Sequence, residues 1–392
     1  MKKAKLKKVG IGLLAVAVAF PITLAGPANS APADIKVGVI TSTSGPLKSY
    51  GDAYTDGLEW GLNYFTKGTM KVNGAKIVLT KRDDGGVPDS AIASFKDLVG
   101  SGHKIIAGTA SSAIALGLAP LAQQNKTLYI SGPAKNDGIT TAANKYVFRS
   151  GNTSLQDFAP LAGLRPIKGQ KVLLFVEDNA FGLGNIAAAK AFLAPQGATF
   201  QEIKVPMTTT EFTPFAKQAA DAKARYIFIA WSNTINSAAM FTSLRQQGVF
   251  QISRPVTGLA DVATYNVMGA IFEGADAILT SSYFPGVGKS NVAARLVSDY
   301  AASGKKEGLF TPDGVNAAQM IIRALNKNVA PYSVDKAISN LEGFSFIGVK
   351  GQTTVDKTKH YLIQPMFLAS LRKSSDGSYQ PSLVKTIFNV KA

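Results

Sequence analysis

The stretch IKVGVITSTSGPLKSYGDAYTDGLEWGLN, residues 35–63, carries the reading of the fold. Residues 35–40 are a short apolar, β-branched run of the kind that makes a strand buried on both faces. A loop over residues 41–50 follows, and a helical pattern then covers residues 53–67. The alternation continues downstream. Strands are expected at residues 76–81, 104–108 and 127–130, separated by helices at 88–99 and 113–124. After a short strand at 147–149 it starts afresh, with strands at 171–176, 200–205, 226–230 and 272–279 and helices at 186–194, 212–222 and 236–247. Repeated strand–helix–strand units call for parallel sheets covered by helices on both faces, so the chain reads as an α/β protein of two similar halves. The halves share a detail, an aromatic–glycine pair ending the first loop of each: Tyr50-Gly51 and Phe181-Gly182. Helices at 292–302, 313–327 and 334–341 follow, then a β-rich tail at 344–390 with a turn at Asp376-Gly377.

Composition removes several classes of function. The absence of cysteine excludes disulfides, thiolate metal sites, a cysteine nucleophile and a lipid anchor on an N-terminal cysteine. His103 and His360 lie far apart and outside any metal or nucleophile motif, so both are read as structural. Lys2, Lys3, Lys5, Lys7 and Lys8 precede an uncharged run at residues 9–24, and small residues follow around Ala31-Pro32-Ala33. This is the pattern of a signal peptide cleaved after Ala33; the apolar run, interrupted by Pro21, is shorter than the ~20 residues of a membrane span. The formal charge of +17 is spread without arginine-rich tracts or interleaved aromatics, so nucleic acid is not an expected partner. No cofactor is expected either. Gly182, Gly184 and Ala187 match a dinucleotide fingerprint, but five residues separate Val176 from the first glycine, too many for a phosphate-binding turn.

Open parallel sheets bind ligands at the carboxyl ends of their strands, which here means residues 41–50, 109–112, 131–135, 177–181, 231–233 and 257–261. Ser111 and Ser112 stand where a helix begins, a place suited to a carboxylate, although a serine there also caps the helix. Pro133 and Lys135 follow the next strand; the Gly132-Pro133 pair turns the backbone toward a ligand, and Lys135 offers a positive charge or is an exposed loop lysine. Tyr50, Phe181 and Trp231 lie past strand ends as candidate walls of an apolar pocket. Asp83 and Asp84, being adjacent, are assigned to a turn rather than to acid–base work.

With these segments in order, the chain resembles the leucine/isoleucine/valine-type substrate-binding proteins of ABC importers, which have the type I periplasmic-binding fold. The resemblance rests on residues 35–63 together with GTASSAIALGLAP, LYISGPAKNDGIT, VEDNAFGLG, TTEFTPFAKQAADAKARYIFIAWS and GVKGQTTVDKTKH. It implies two Rossmann-like lobes joined by a three-strand hinge: a signal peptide at 1–33, one lobe from 34–150 and 282–349, and the other from 151–281 and 350–392. It also implies a periplasmic monomer that takes a small-molecule ligand to an ABC permease and is not an enzyme; a ligand-sensing module using the same cleft is the alternative of another class. Ser112 falls where the family grips a ligand carboxylate, Tyr50 and Phe181 where aromatic residues line the pocket, and Trp231 or Ser232 on the loop that closes over the ligand. Two positions depart from amino-acid binders. Lys135 replaces a Thr or Ser, and Leu259 stands near where an acid would meet an ammonium group, with Asp261 the substitute if the alignment slips. The expected solute is therefore a carboxylate on an apolar or aromatic body, with an amino acid as the alternative.

Overall fold

The computed structural model describes residues 1, 2, 4, 5, 10 and 32–392, so the expected signal peptide lies almost wholly outside the described residues. A first sheet contains β1 (Ile35–Thr41), β2 (Lys71–Val72), β3 (Ala75–Asp83), β4 (Ile105–Ala107), β5 (Leu128–Ser131) and β6 (Val147–Arg149), in the order β2-β3-β1-β4-β5-β6. All its pairs are parallel except β2 with β3. Its helices are α1 (Lys48–Phe65), α2 (Pro88–Gly100) and α3 (Ser112–Gln124). Successive side chains of a strand point to opposite faces, and both faces here are apolar. Val37 and Val39 pack with Tyr54 and Leu58 of α1, whereas Ile40, Ile106 and Tyr129 pack with Phe95 and Leu98 of α2 and Leu118 of α3. That double burial is why these strands read as unbroken apolar runs.

The second sheet repeats the scheme. β7 (Lys171–Glu177), β8 (Thr199–Val205), β9 (Tyr226–Ala230), β10 (Arg254–Gly258) and β11 (Ile278–Ser281) run parallel in the order β8-β7-β9-β10-β11. They alternate with α4 (Ala180–Leu193), α5 (Thr213–Asp221), α6 (Ser237–Gln246), α7 (Val249–Ile252) and α8 (Tyr265–Phe272). Leu173, Phe175 and Ile229 face α5 and α6, while Val172, Leu174 and Phe228 face α4 and the 3-10 segment Leu155–Gly163. After α9 (Asn291–Ala302), α10 (Thr311–Ala324) and α11 (Val334–Leu341), the chain adds β12 (Ser345–Gly348), β13 (Gly351–Val355), β14 (Leu362–Lys373) and β15 (Tyr379–Val390), all antiparallel, with β14 on β11.

Helices α10 and α11 return to the first sheet. Ala317, Ala318 and Ile321 of α10 and Ile338 of α11 share the core of Val37 and Leu58. The approach of α10 to α1 is backbone to backbone: a Cβ on Gly57 would lie 2.1 Å from the Thr311 carbonyl oxygen, and one on Gly314 would lie 2.0 Å from that of Tyr54.

Several expected boundaries move. A strand was expected at residues 272–279, but α8 runs to Phe272, Gly274 turns the chain at φ +79°, and β11 begins only at Ile278. Phe272 belongs to an aromatic group with Phe241 and Phe250 beneath α8. Strand β10 was read only through its carboxyl end at residues 257–261; its body holds Pro255, a residue seldom found in a central strand. Helices α1 and α4 start at Lys48 and Ala180, earlier than expected, and absorb the glycines taken for loop residues. Each glycine is needed there. A Cβ on Gly51 would sit 1.8 Å from the Ser42 carbonyl oxygen and one on Gly182 1.9 Å from that of Glu177, so the first turn of each helix presses on the end of its own strand. Gly182, Gly184 and Ala187 lie inside α4, which removes the nucleotide-binding turn.

Replacing Gly314 with alanine should lower stability by about 1–3 kcal/mol through overpacking of α10 on α1. Gly100→Ala, where a Cβ meets nothing within 4 Å, should leave it within about 0.5 kcal/mol. Urea denaturation of both variants measures the difference.

Candidate functional site

The carboxyl ends of the strands in both sheets meet around a cavity of about 310 Å³. Tyr50, Ser111, Ser112, Pro133 and Lys135 reach it from the first sheet, and Phe181, Trp231, Ser232 and Leu259 from the second. Hydrogen bonds join the two sides directly, among them Thr234 Oγ1 to the Pro46 carbonyl at 2.7 Å, Asn136 Nδ2 to the Ala180 carbonyl at 2.7 Å, and the Leu309 N–H to Asp261 Oδ1 at 3.3 Å.

At the start of α3, Ser111 is the helix cap, its Oγ accepting the Ile114 N–H at 3.4 Å. Ser112 Oγ accepts the N–H groups of Lys135 and Asn136, each at 3.3 Å, and so ties the helix to the loop after β5. Its own O–H remains a donor, and the N–H groups of Ser112 and Ala113 have no acceptor within the helix. Beneath this loop Arg149 is fully buried. Its guanidinium donates to the carbonyls of Ala134 (2.9 Å), Asn136 (2.7 Å) and Asn152 (3.2 Å) and to Thr140 Oγ1 (3.4 Å). Burial pulls its pKa down to about 10, which still leaves it a cation at neutral pH.

Lys135 is not an exposed loop lysine. Its Nζ lies 3.0 Å from Asp157 Oδ2 and 3.3 Å from Oδ1, with the two side chains 13% and 10% exposed. Asp157 Oδ1 also accepts Asn152 Nδ2 at 2.9 Å. Asp157 lines the cavity, and it and Lys135 are the charged side chains that do so among the described residues. In the sequence Asp157 carries a single signal, being the sole acid between Asp137 and Glu177.

The aromatic wall differs from the expected one in placement. Tyr50 and Phe181 stand in the first turns of α1 and α4, and only Trp231 is on a loop. The Tyr50 ring meets Phe310 edge-on at 4.9 Å, and burial, reinforced by the negative charges of Asp261 and Glu177, pushes its pKa up, which keeps its hydroxyl a donor. Leu309 and Phe310, also on the wall, come from the loop before α10, far in sequence from any strand end. Trp231 both lines the cavity and packs on its own lobe, its ring 5.6 Å from Phe212 and its Nε1 donating to Asn236 Oδ1 at 2.9 Å.

Ser232 is held rather than free. Its hydroxyl and N–H both donate to Glu177 Oε2, and the Asn233 N–H donates to Oε1 at 2.9 Å. Asn179 Nδ2 adds a fourth bond at 3.0 Å to this buried carboxylate. Leu259 is buried, its N–H bonded to the Thr280 carbonyl at 2.7 Å. Asp261, the possible substitute acid, accepts the Val262 and Leu309 N–H groups and does not line the cavity. Asp83 and Asp84 anchor turns, Asp83 accepting from Thr43, Ser44 and Gly85, and Asp84 from Ser42, Gly86 and Thr109. The histidines serve the fold away from the cavity: His103 Nδ1 donates to the Leu98 carbonyl at 2.8 Å, and His360 Nδ1 donates to the Val147 carbonyl at 3.2 Å with its ring stacked on Phe148 at 3.9 Å.

Glu177→Ala leaves four part-buried donors without their acceptor and should cost about 2–4 kcal/mol. In a Trp60→Phe background, Trp231 emission should also shift to the red as its loop loosens. Urea melts followed by fluorescence read both.

The model of the periplasmic binding protein family matches residues 34–378. Leu/Ile/Val-binding protein homolog 6 of Brucella suis biovar 1 (strain 1330) is 25% identical over 397 residues, covering 97% of this chain and 97% of the relative. The solved structure of an ABC-type branched-chain amino acid transporter from Rhodopseudomonas palustris CGA009 is 29% identical with a TM-score of 0.74, over 91% of this chain and 97% of that one. A solute binding protein of an ABC transporter from Rhodopseudomonas palustris HaA2, in complex with p-hydroxybenzoic acid, shares the fold at 22% identity and a TM-score of 0.80, over 91% and 97% of the two chains. The resemblance to leucine/isoleucine/valine-type binding proteins and the two-lobe α/β architecture are thus borne out. The family match runs from β1 past the end of β14 and takes in every strand end around the cavity: this chain belongs to the periplasmic binding protein family.

Proposed function

We propose that this chain is the exported receptor of an ABC importer, freed by signal-peptide cleavage near Asp34, which encloses a small monocarboxylate with an apolar or aromatic body and carries it to a membrane permease. No bond is made or broken. The observation that carries the ligand class is the charge of the wall. Lys135 has an N–H left to donate, and the charge of Asp157 is already balanced by Lys135 at hydrogen-bond distance, with Asn152 on the same carboxylate. An incoming carboxylate finds that ammonium, the Ser112 hydroxyl and the N-terminus of α3 on one side. An incoming ammonium group finds the acid of the wall already paired with a cation, which repels it as it loses its hydration.

The rest of the wall suits a ring or branched alkyl body, with Tyr50, Phe181, Trp231, Leu259 and Phe310 around it. A volume of about 310 Å³ is at the small end of ligand sites, roughly 300–1,000 Å³. Proteins of this fold from Rhodopseudomonas palustris hold p-hydroxybenzoic acid and benzoate, so the architecture accommodates a ring carboxylate. The amino-acid reading is favoured by the names of the Brucella relatives, which are Leu/Ile/Val-binding protein homologues.

Isothermal titration with benzoate, 4-methyl-2-oxopentanoate and leucine separates the two. The acids should saturate the protein and leucine should give no heat beyond dilution; tight leucine binding with no response to either acid would overturn the proposal. Closure is tested apart from ligand identity. The hydrogen bonds from Thr234 to Pro46 and from Asn136 to Ala180 cross the cleft, so the radius of gyration in solution scattering should fall at saturating ligand.

A further inference from the structure

The Lys135–Asp157 pair joins the two halves of the molecule at the cavity wall. Lys135 stands on the loop after β5 of the first sheet. Asp157 stands just beyond the first crossing, in a segment whose Phe158 and Leu161 are buried with Val172, Leu174 and Phe228 of the second sheet. The two opposed charges lie 3.0 Å apart and nearly out of solvent, and the Lys135 Nζ also lies 5.9 Å from the centre of the Phe310 ring, itself a wall residue. Behind them are Arg149, bonded to main-chain carbonyls and Thr140, and the buried Asp313 and Lys350.

A wall bearing one cation and one anion in contact has no net charge, so the ligand's charge is matched only by the donors that the pair leaves over. Removing either partner leaves its opposite buried and uncompensated, the situation in which a ligand of complementary charge gains most. We propose that Asp157 is a specificity-determining residue: by neutralising Lys135 it restricts the site to singly charged acids, and the balance of this pair decides whether the cavity accepts an acid or an ammonium-bearing ligand. The inference rests on the cavity being the ligand site and deepens the carboxylate reading given above.

The test measures benzoate and leucine affinities for the wild type, Asp157→Asn and Lys135→Met by isothermal titration, with thermal melts to verify folding. Asp157→Asn keeps the side-chain shape and should tighten benzoate by about tenfold, while Lys135→Met should weaken benzoate by about tenfold or more and raise leucine affinity by a similar factor. Lys135→Gln, which retains a donor toward Asp157, is the second neutral variant should Lys135→Met not fold, with the same expected signs. Benzoate affinities that move in the same direction in the Asp157 and Lys135 variants would overturn the role of the pair, because mere damage to the wall acts alike on both. Wild-type protein that binds leucine in place of benzoate overturns the carboxylate reading alone. The pair is then upheld if leucine affinity rises on removing the cation and falls on removing the anion, and overturned if the two changes share a sign.

Discussion

A guanidinium without solvent exposure lies under the first crossing between the two sheets, and its N–H groups can be met only if distant main-chain carbonyls converge on it. Arg149 collects those of Ala134, Asn136 and Asn152. A buried cation left short of acceptors costs several kcal/mol, so neither the loop after β5 nor the start of the crossing can drift without a large loss. That constraint sets where Lys135 projects, and Asn152, held by the same arginine, bonds the carboxylate of Asp157. The electrostatics of the cavity therefore rest on a residue that does not line it.

A second constraint, steric rather than electrostatic, places the aromatic side of the wall. Gly51 and Gly182 bring the first turns of α1 and α4 against strand-end carbonyls, so Tyr50 and Phe181 sit one residue before a contact that admits no side chain. The apolar material lies in the sheet faces, whereas polar groups gather near the crossings. Asp313 on α10 and Lys350 between β12 and β13 are both buried, with Oδ2 and Nζ unpaired. Burial pushes the Asp313 carboxyl up and the Lys350 ammonium down from their ordinary values, each offset in part by the opposite charge of the other.

Much of this was legible in the sequence. Strands buried on both faces leave unbroken apolar runs, so β1, β3, β7, β8 and β9 were read within a residue or two, and the strand-end rule, joined by the family resemblance for Ser232 and Leu259, led to nine residues that the structure gathers at one cavity. What was not legible depends on contacts between remote segments. The body of β10, with Pro255 in it, shows no clear strand pattern, and the glycines at 51 and 182 looked like loop punctuation because the carbonyls that require them are invisible in a linear pattern. Leu309 and Phe310 arrive from a loop between two helices, outside the strand-end rule. The charge argument built on Lys135 lacked its partner for the same reason: Asp157 lies in a 3-10 segment with no periodic signal, 22 residues away.

The return of α10 to the first sheet has a consequence for how the molecule comes into being. The face of β1 carrying Val37 and Val39 is roofed partly by α1 and partly by Ala317, Ala318 and Ile321. A nascent chain ending before residue 311 holds every strand of that sheet but lacks half its cover, and it exposes apolar surface that water disfavours. The first half of the sequence thus contains a complete sheet but not the complete core around it. Completion of that core needs residues from the last third of the chain, so the contacts that close the first sheet are among the most distant in sequence that the fold makes.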